Sequence, residues 1–292
     1  MPFKRVLACE CTTDFDSNAS TRLHPPTVIE PGRLEHLAVE AGLAGASIVL
    51  ESLDGPSRVA HDPDLPLYPA SMIKLPIAAA LAERCAAGSL SWDDRVPVSP
   101  ANLTANDAPS PFVAGSDARL ADLMHEMIAA SDNVATNVLI DVLGRETIAA
   151  SCAPFGLRAT AVRRKLSGSL PLIDDPDATG RNAHPASDAA RLFRGIAERG
   201  GGTQRAVLAA LMAQRWNDKL SRGLRPGDRF AHKTGDTDEV SHDGGILTLD
   251  DGRRFVLVVF TALASGPETD ALFAAFSRAL RPALDTWGTG GS

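Results

Sequence analysis

Ser71 and Lys74 stand three residues apart in Ser71-Met72-Ile73-Lys74, at the head of an apolar run from Ile73 to Leu81. On a helix that spacing sets both side chains on one face. A serine hydroxyl is a weak nucleophile until a base takes its proton. A lysine serves as that base when burial or a second cation depresses its pKa, and the apolar residues after Lys74 predict burial. The ordinary reading of the same four residues is a capping serine beside a solvated lysine.

Two later stretches weigh against the ordinary reading. Ser131-Asp132-Asn133 follows a run with helical spacing (Leu120, Leu123, Met124, Met127, Ile128). Lys233-Thr234-Gly235 lies within Arg229 to Asp236, ahead of two strand-like runs. Ser-x-x-Lys, then Ser-Asp-Asn, then Lys-Thr-Gly, with this much chain between them, is the motif set of class A β-lactamases and penicillin-binding proteins. From about residue 30 to about residue 288 the chain resembles that superfamily.

The resemblance implies an α/β (α+β) fold of the β-lactamase type. An antiparallel sheet with flanking helices is joined to an all-helical lobe, and the site lies in the cleft between them. Ser71 would attack a carbonyl and form an acyl-enzyme, with Lys74 accepting its proton. Ser131 would relay a proton to the leaving group, and Lys233 would keep that region positive. Asn133 would donate to the acyl side chain of the substrate, and Thr234 to a substrate carboxylate. The backbone N–H groups of Ser71 and Asp236 would form the oxyanion hole, an element typically worth several kcal/mol of barrier.

Gly235 is expected to let substrate lie against its strand. Lys219 and Arg222 are candidate carboxylate anchors, although solvated surface charge explains them equally well. Asp132 is read as bracing the turn that presents Ser131 and Asn133, and Asp107 as lying at the cleft mouth. His184, His232 and His242 are candidate bases, with a structural role the better reading of each.

One departure from the pattern matters. Class A enzymes carry a loop glutamate, in Glu-x-x-Leu-Asn, that activates the deacylating water. The corresponding stretch here is Arg163-Arg164-Lys165-Leu166-Ser167-Gly168-Ser169-Leu170, which has no carboxylate; the nearest are Asp174, Asp175 and Asp177. The chain therefore resembles a divergent branch, its loop neck held by Arg163 or Arg164 against Asn182. Acylation is expected; rapid hydrolysis of a β-lactam acyl-enzyme is not, since a general base supplies roughly 10²–10⁴-fold.

Around these residues, helical periodicity predicts helices over Pro31–Glu40, Ser71–Ala87, Asp117–Ala130, Asn133–Leu143, Asp188–Glu198, Arg205–Gln214 and Glu268–Leu284. Pro76, early in the second of these, predicts a bend or a non-helical first turn. Strands are expected over Ala46–Leu53, Ser57–His61, Arg229–Gly235, Gly244–Leu249 and Arg253–Thr261. Trp92–Val98 reads as a connection, and Arg158–Asn182 as a long ordered loop.

The 292 residues, 44% hydrophobic and 22% charged, suit one compact body or two packed lobes. Residues 1–28 read as an extension, and 29–288 as one β-lactamase-like domain. Its α/β lobe would span about 29–62 and 208–288, and its all-α lobe about 63–207. With a net charge of −7 and no basic block, nucleic acid is not an expected partner. No apolar run approaches the ~20 residues of a membrane span, so no membrane partner is expected. The apolar piece near the N-terminus is too short for a signal-peptide core, and a cytoplasmic location is expected. Cys9, Cys11, Cys85 and Cys152 read as free thiols, with no metal and no cofactor.

The functional expectation is an active-site-serine acyl enzyme. It would hydrolyse or transfer the acyl group of an ester or amide of a small, carboxylate-bearing metabolite. Transfer to an amine, as in a transacylase of secondary metabolism, fits the missing glutamate. The alternatives are a class A-type β-lactamase with another base, and a non-catalytic β-lactam-binding sensor.

Overall fold

The structure, a computed structural model, describes residues 29–199 and 201–287. The expected extension over 1–28, with Cys9 and Cys11, lies outside the described residues.

Helix α1 (Pro31–Glu40) leads into β1 (Ser47–Ser52), which turns back as β2 (Arg58–His61). The pair forms the expected antiparallel hairpin. A 3-10 turn, Ala70–Ile73, carries Ser71 and passes directly into α2 (Lys74–Ala86). Pro76 has no N–H to donate, and the turn ahead of it is 3-10 rather than α-helical.

Two short strands then appear that the sequence reading did not separate. β3 (Arg95–Pro97) falls within the expected connection, and β4 (Asp117–Arg119) replaces the expected first turn of a helix. They pair antiparallel, which delays α3 to Leu120–Ala129. α4 (Asn133–Leu143) has the expected bounds and ends at Gly144, where φ is +73°. α5 (Arg145–Cys152) was not anticipated. The segment from Arg158 to Asn182 contains no helix or strand.

α6 (Ala186–Glu198) and α7 (Gly202–Met212) follow. Three antiparallel strands come next: β5 (Arg229–Asp236), β6 (Ser241–Thr248) and β7 (Arg254–Thr261). β6 begins three residues earlier than its apolar run suggests, because Ser241, His242 and Asp243 pair with β5 and β7 although they are polar. α8 (Pro267–Leu284) closes the fold.

The sheet has five strands in the order β2-β1-β7-β6-β5, so β5 is an edge. Alternation along β7 divides the interior in two. Val256, Val258 and Phe260 join a core built with α2, α3, α4, α6 and α7. Phe255, Leu257 and Val259 join a second core with Leu34 and Leu37 of α1 and Phe273 and Phe276 of α8. A sheet buried on both faces is a rigid platform, and its edge strand carries Lys233, Thr234 and Gly235.

Candidate active site

Each residue of the three motifs sits at the end of a regular element. Ser71 is on the 3-10 turn before α2, after Ala70, whose φ of +46° is left-handed. Ser131 is the middle residue of the three that link α3 to α4, also left-handed at φ +61°. A non-glycine residue there costs about 1–2 kcal/mol, and such costs gather at functional sites. Asp132 caps α4 by accepting from the Ala135 N–H at 2.7 Å, the bracing role expected of it.

Lys74 Nζ is fully buried and reaches four oxygens. These are Ser71 Oγ at 2.8 Å, Ser131 Oγ at 3.0 Å, the Ser131 carbonyl at 2.6 Å and Asn133 Oδ1 at 2.8 Å. The two carbonyl-type oxygens can only accept, so they take two N–H groups. In the neutral amine the lone pair then faces the hydroxyls. Burial, and then the charge of Lys233, hold the Lys74 pKa well below its ordinary value. The arrangement can take a proton from Ser71 Oγ.

Lys233 is also fully buried. Its Nζ donates to Ser131 Oγ at 3.0 Å and to the Thr234 carbonyl at 2.7 Å, so Ser131 Oγ bridges the two lysines. In the sheet Lys233 lies opposite Gly244, which brings no side chain to compete for space. Burial pushes Lys233 down to about 7.

A cavity of about 240 Å³ opens beside these groups, lined by Ser71, Ser131 and Thr234 together with Asp107 and Asp236. Asp107 is at the cleft, as expected. Trp216, Asp218 and Asp270 also line it and were not singled out from the sequence. They come from the segment after α7 and the first turn of α8, and no local motif marks them.

Several expected roles change. Asn133 Nδ2 gives one of its two N–H groups to the Ala105 carbonyl at 3.0 Å, and its Oδ1 accepts from Lys74. Lys219 lines the cavity but is no free anchor. It is 4% exposed, and its Nζ is 2.5 Å from Asp236 Oδ1 and 3.1 Å from the His242 carbonyl. Arg222 is exposed and does not line the cavity. Its 3-10 turn (Leu220–Gly223) docks on α8 through Leu220 and Gly223, where Ser277 Oγ donates to the Leu220 carbonyl, and this leaves Arg222 at the surface.

Gly235 is small for a different reason than expected. A β-carbon on it would meet the Pro69 carbonyl and Met72 Cγ at 3.1 Å, so the missing side chain admits the turn carrying Ser71. The edge position of β5 directs every second N–H away from the sheet, the geometry an oxyanion donor at Asp236 requires.

None of the three histidines lines the cleft. His232 is held between Asp243 and Asn217; His242 Nε2 donates to the Tyr68 carbonyl and its Nδ1 accepts from the Thr261 N–H. Burial pushes His184 and His242 down to about 4.

The long loop is tied down by backbone groups. Asn182 Oδ1 accepts from the N–H of both Arg163 and Arg164, so the expected contact is made by peptide groups and not by guanidinium. Asn137 clamps Leu166 through its N–H at 2.8 Å and its carbonyl at 2.9 Å. Asn133 and Asn137 are one turn apart on α4, so one helix face links Lys74 to Leu166. Leu166 is buried, and no residue of the loop lines the cavity.

Fold and site define the class: a serine enzyme of the β-lactamase type, with a lysine rather than a histidine beside the hydroxyl. The chain belongs to the beta-lactamase enzyme family, whose sequence profile matches residues 33–287. It is 27% identical to the beta-lactamase regulatory protein BlaB of Streptomyces cacaoi, over 85% of this chain and 95% of that one. Among solved structures it is similar to a beta-lactamase from Sphaerobacter thermophilus (25% identity, 87% and 98% of the two chains, TM-score 0.73). It shares its fold with PBP-A, as a leucine-to-glutamate mutant in an acyl-enzyme complex with penicillin G (24% identity, 90% and 99%, TM-score 0.76).

Among the described residues, no helix is long and apolar enough to cross a membrane. No group of three or more His, Cys, Asp or Glu among them is placed to hold a metal. Cys85 and Cys152 are free thiols, and burial pushes both up to about 11.

Proposed function

We propose that the protein is an active-site-serine acyl enzyme that opens an ester, amide or β-lactam through a Ser71 acyl-enzyme. Lys74 is the base, Ser131 passes the proton to the leaving group, and Lys233 stabilises charge at Ser131. The N–H groups of Ser71 and Asp236 hold the carbonyl oxygen. The observation that carries this reading is the 2.8 Å approach of a fully buried Lys74 Nζ to Ser71 Oγ. Proton transfer needs that reach and a depressed lysine pKa together.

The acyl group then goes to water or to an amine. The cavity takes no carboxylate from the Arg158–Asn182 loop, which favours an amine acceptor and a transacylase over a fast β-lactamase. The penicillin acyl-enzyme of PBP-A, which shares the fold, makes β-lactams suitable probes. A fluorophosphonate or penicillin should add one covalent mass, and Ser71→Ala should abolish it. Labelling that persists in Ser71→Ala, or maps elsewhere, overturns the mechanism.

The likeness to BlaB favours a second reading, a regulatory protein that binds a β-lactam without turning it over. Sustained turnover of a model ester separates the two: a sensor acylates once and stops.

A further inference from the structure

The cleft that holds Ser71 has an unusual charge for a site that would take a carboxylate. Of its lining residues, Asp107, Asp218, Asp236 and Asp270 are acidic and Lys219 is the cation. Lys219 is spent on Asp236 at 2.5 Å and on the His242 carbonyl at 3.1 Å. Arg222 lies outside. Lys74 and Lys233 are buried behind the wall with depressed pKa values. The carboxylates of Asp218 and Asp270 have no hydrogen-bond or ion-pair partner among the described residues.

Asp270 is partly withdrawn from water. Burial raises its pKa, and Asp236, Asp218 and Asp243 add to the rise against Lys219. Carboxylates that raise one another in this way create a negative potential in the cleft. Trp216 stands in the same wall, 36% exposed, with its indole N–H donating to the Ala130 carbonyl at 3.3 Å. An anchored aromatic ring beside unpaired carboxylates is the chemistry that receives an organic cation. The same wall repels an anion.

We propose that the substrate of this cleft carries an ammonium or guanidinium group, received by Asp218, Asp270 and Trp216 while its acyl carbon meets Ser71. The inference rests on the acyl-enzyme reading above and names its substrate class. A protonated amine acceptor would be drawn to the same wall.

The test is equilibrium binding, measured by calorimetry on Ser71→Ala, of three matched acyl amides ending in a guanidinium, a carboxamide or a carboxylate. The guanidinium compound should bind at least about 10-fold tighter than the carboxylate compound, because each opposite or like charge acts at short range in a partly desolvated wall. That ratio should shrink at least about fivefold in Asp218→Asn/Asp270→Asn, and again in 0.5 M salt, where screening length falls to a few ångströms. Equal binding of the three compounds, preference for the carboxylate, or a ratio that the double variant leaves intact overturns the proposal. Because Ser71 is absent, these results do not depend on acylation. Labelling of the wild type by a neutral fluorophosphonate separately tests the serine mechanism.

Discussion

Gly235 on the edge strand and Met72 on the Ser71 turn are in contact so close that a β-carbon at 235 would lie 3.1 Å from Met72 Cγ and 3.3 Å from the Met72 nitrogen. The strand that carries Lys233 is thus pressed onto the turn that carries Ser71. Gly235→Ala should move that turn by a few tenths of an ångström. We expect acylation to fall about 10-fold, since small misplacements of reacting groups are costly, with a stability loss of about 1–3 kcal/mol from overpacking. Labelling kinetics and Tm measure the two effects. A Gly235→Ala enzyme that labels at the wild-type rate would show that the contact does not position Ser71.

Lys74→Ala should slow acylation by about 10³-fold or more, because Ser71 then has no base. It also removes the donor to the Ser131 carbonyl and Asn133 Oδ1, so Tm should fall as well. Folding is checked by circular dichroism before the rate is read. A folded variant acylating near the wild-type rate removes Lys74 from the mechanism.

The pH dependence of acylation should be bell-shaped. The rate rises as Lys74, whose pKa burial and Lys233 depress, loses its proton. It falls as Lys233, pushed down to about 7 by burial, loses its own. Lys233→Arg keeps its charge throughout this range, so its falling limb should move to higher pH or vanish. A falling limb unchanged in Lys233→Arg would assign that limb to another group.

Penicillins and nitrocefin should give a stoichiometric burst and then slow turnover. Leu166 occupies the stretch that carries a glutamate in the class A pattern, and the cavity receives no carboxylate from the Arg158–Asn182 loop. Leu166→Glu introduces one at the residue clamped by Asn137, which stands one helical turn from Asn133 on α4. We expect faster β-lactam deacylation with a loss of about 2–3 kcal/mol from the buried leucine. Intact mass spectrometry follows the acyl-enzyme. Fast, sustained hydrolysis by the wild type would require a base elsewhere in the cleft.

Acid should destabilise the fold before the carboxylates titrate. Burial holds His184 and His242 at about 4, against an unfolded value near 6.5. Between those values the unfolded chain binds more protons, so stability rises with pH and is lost as pH falls from about 6.5 toward 4. The loss is at most about 3 kcal/mol for each histidine. Urea unfolding at pH 7 and pH 5 reads it directly; equal midpoints would show that these histidines are not buried neutral.

Much of this protein is determined locally. α1 and α4 follow from helical spacing, with Gly144 ending α4. Ser71 and Lys74 meet because they stand three positions apart at the start of a helix, and Asp132 caps because it precedes one. The missing loop glutamate is also a fact of residues in a row. What tertiary structure decided lies between distant segments. β3 and β4 form only as each other's partners, so neither shows in its own periodicity. Arg222 and Lys219 look alike in the sequence, yet one stays at the surface because its turn docks on α8. The other is consumed by Asp236, which β5 brings to it. Gly235 is small for a turn more than 160 residues earlier, and the acidic wall is assembled from Asp218 and Asp270, which belong to different elements. Hydrogen bonding along a helix is set by near neighbours, whereas packing and electrostatic potential depend on whichever segments the folded chain sets face to face.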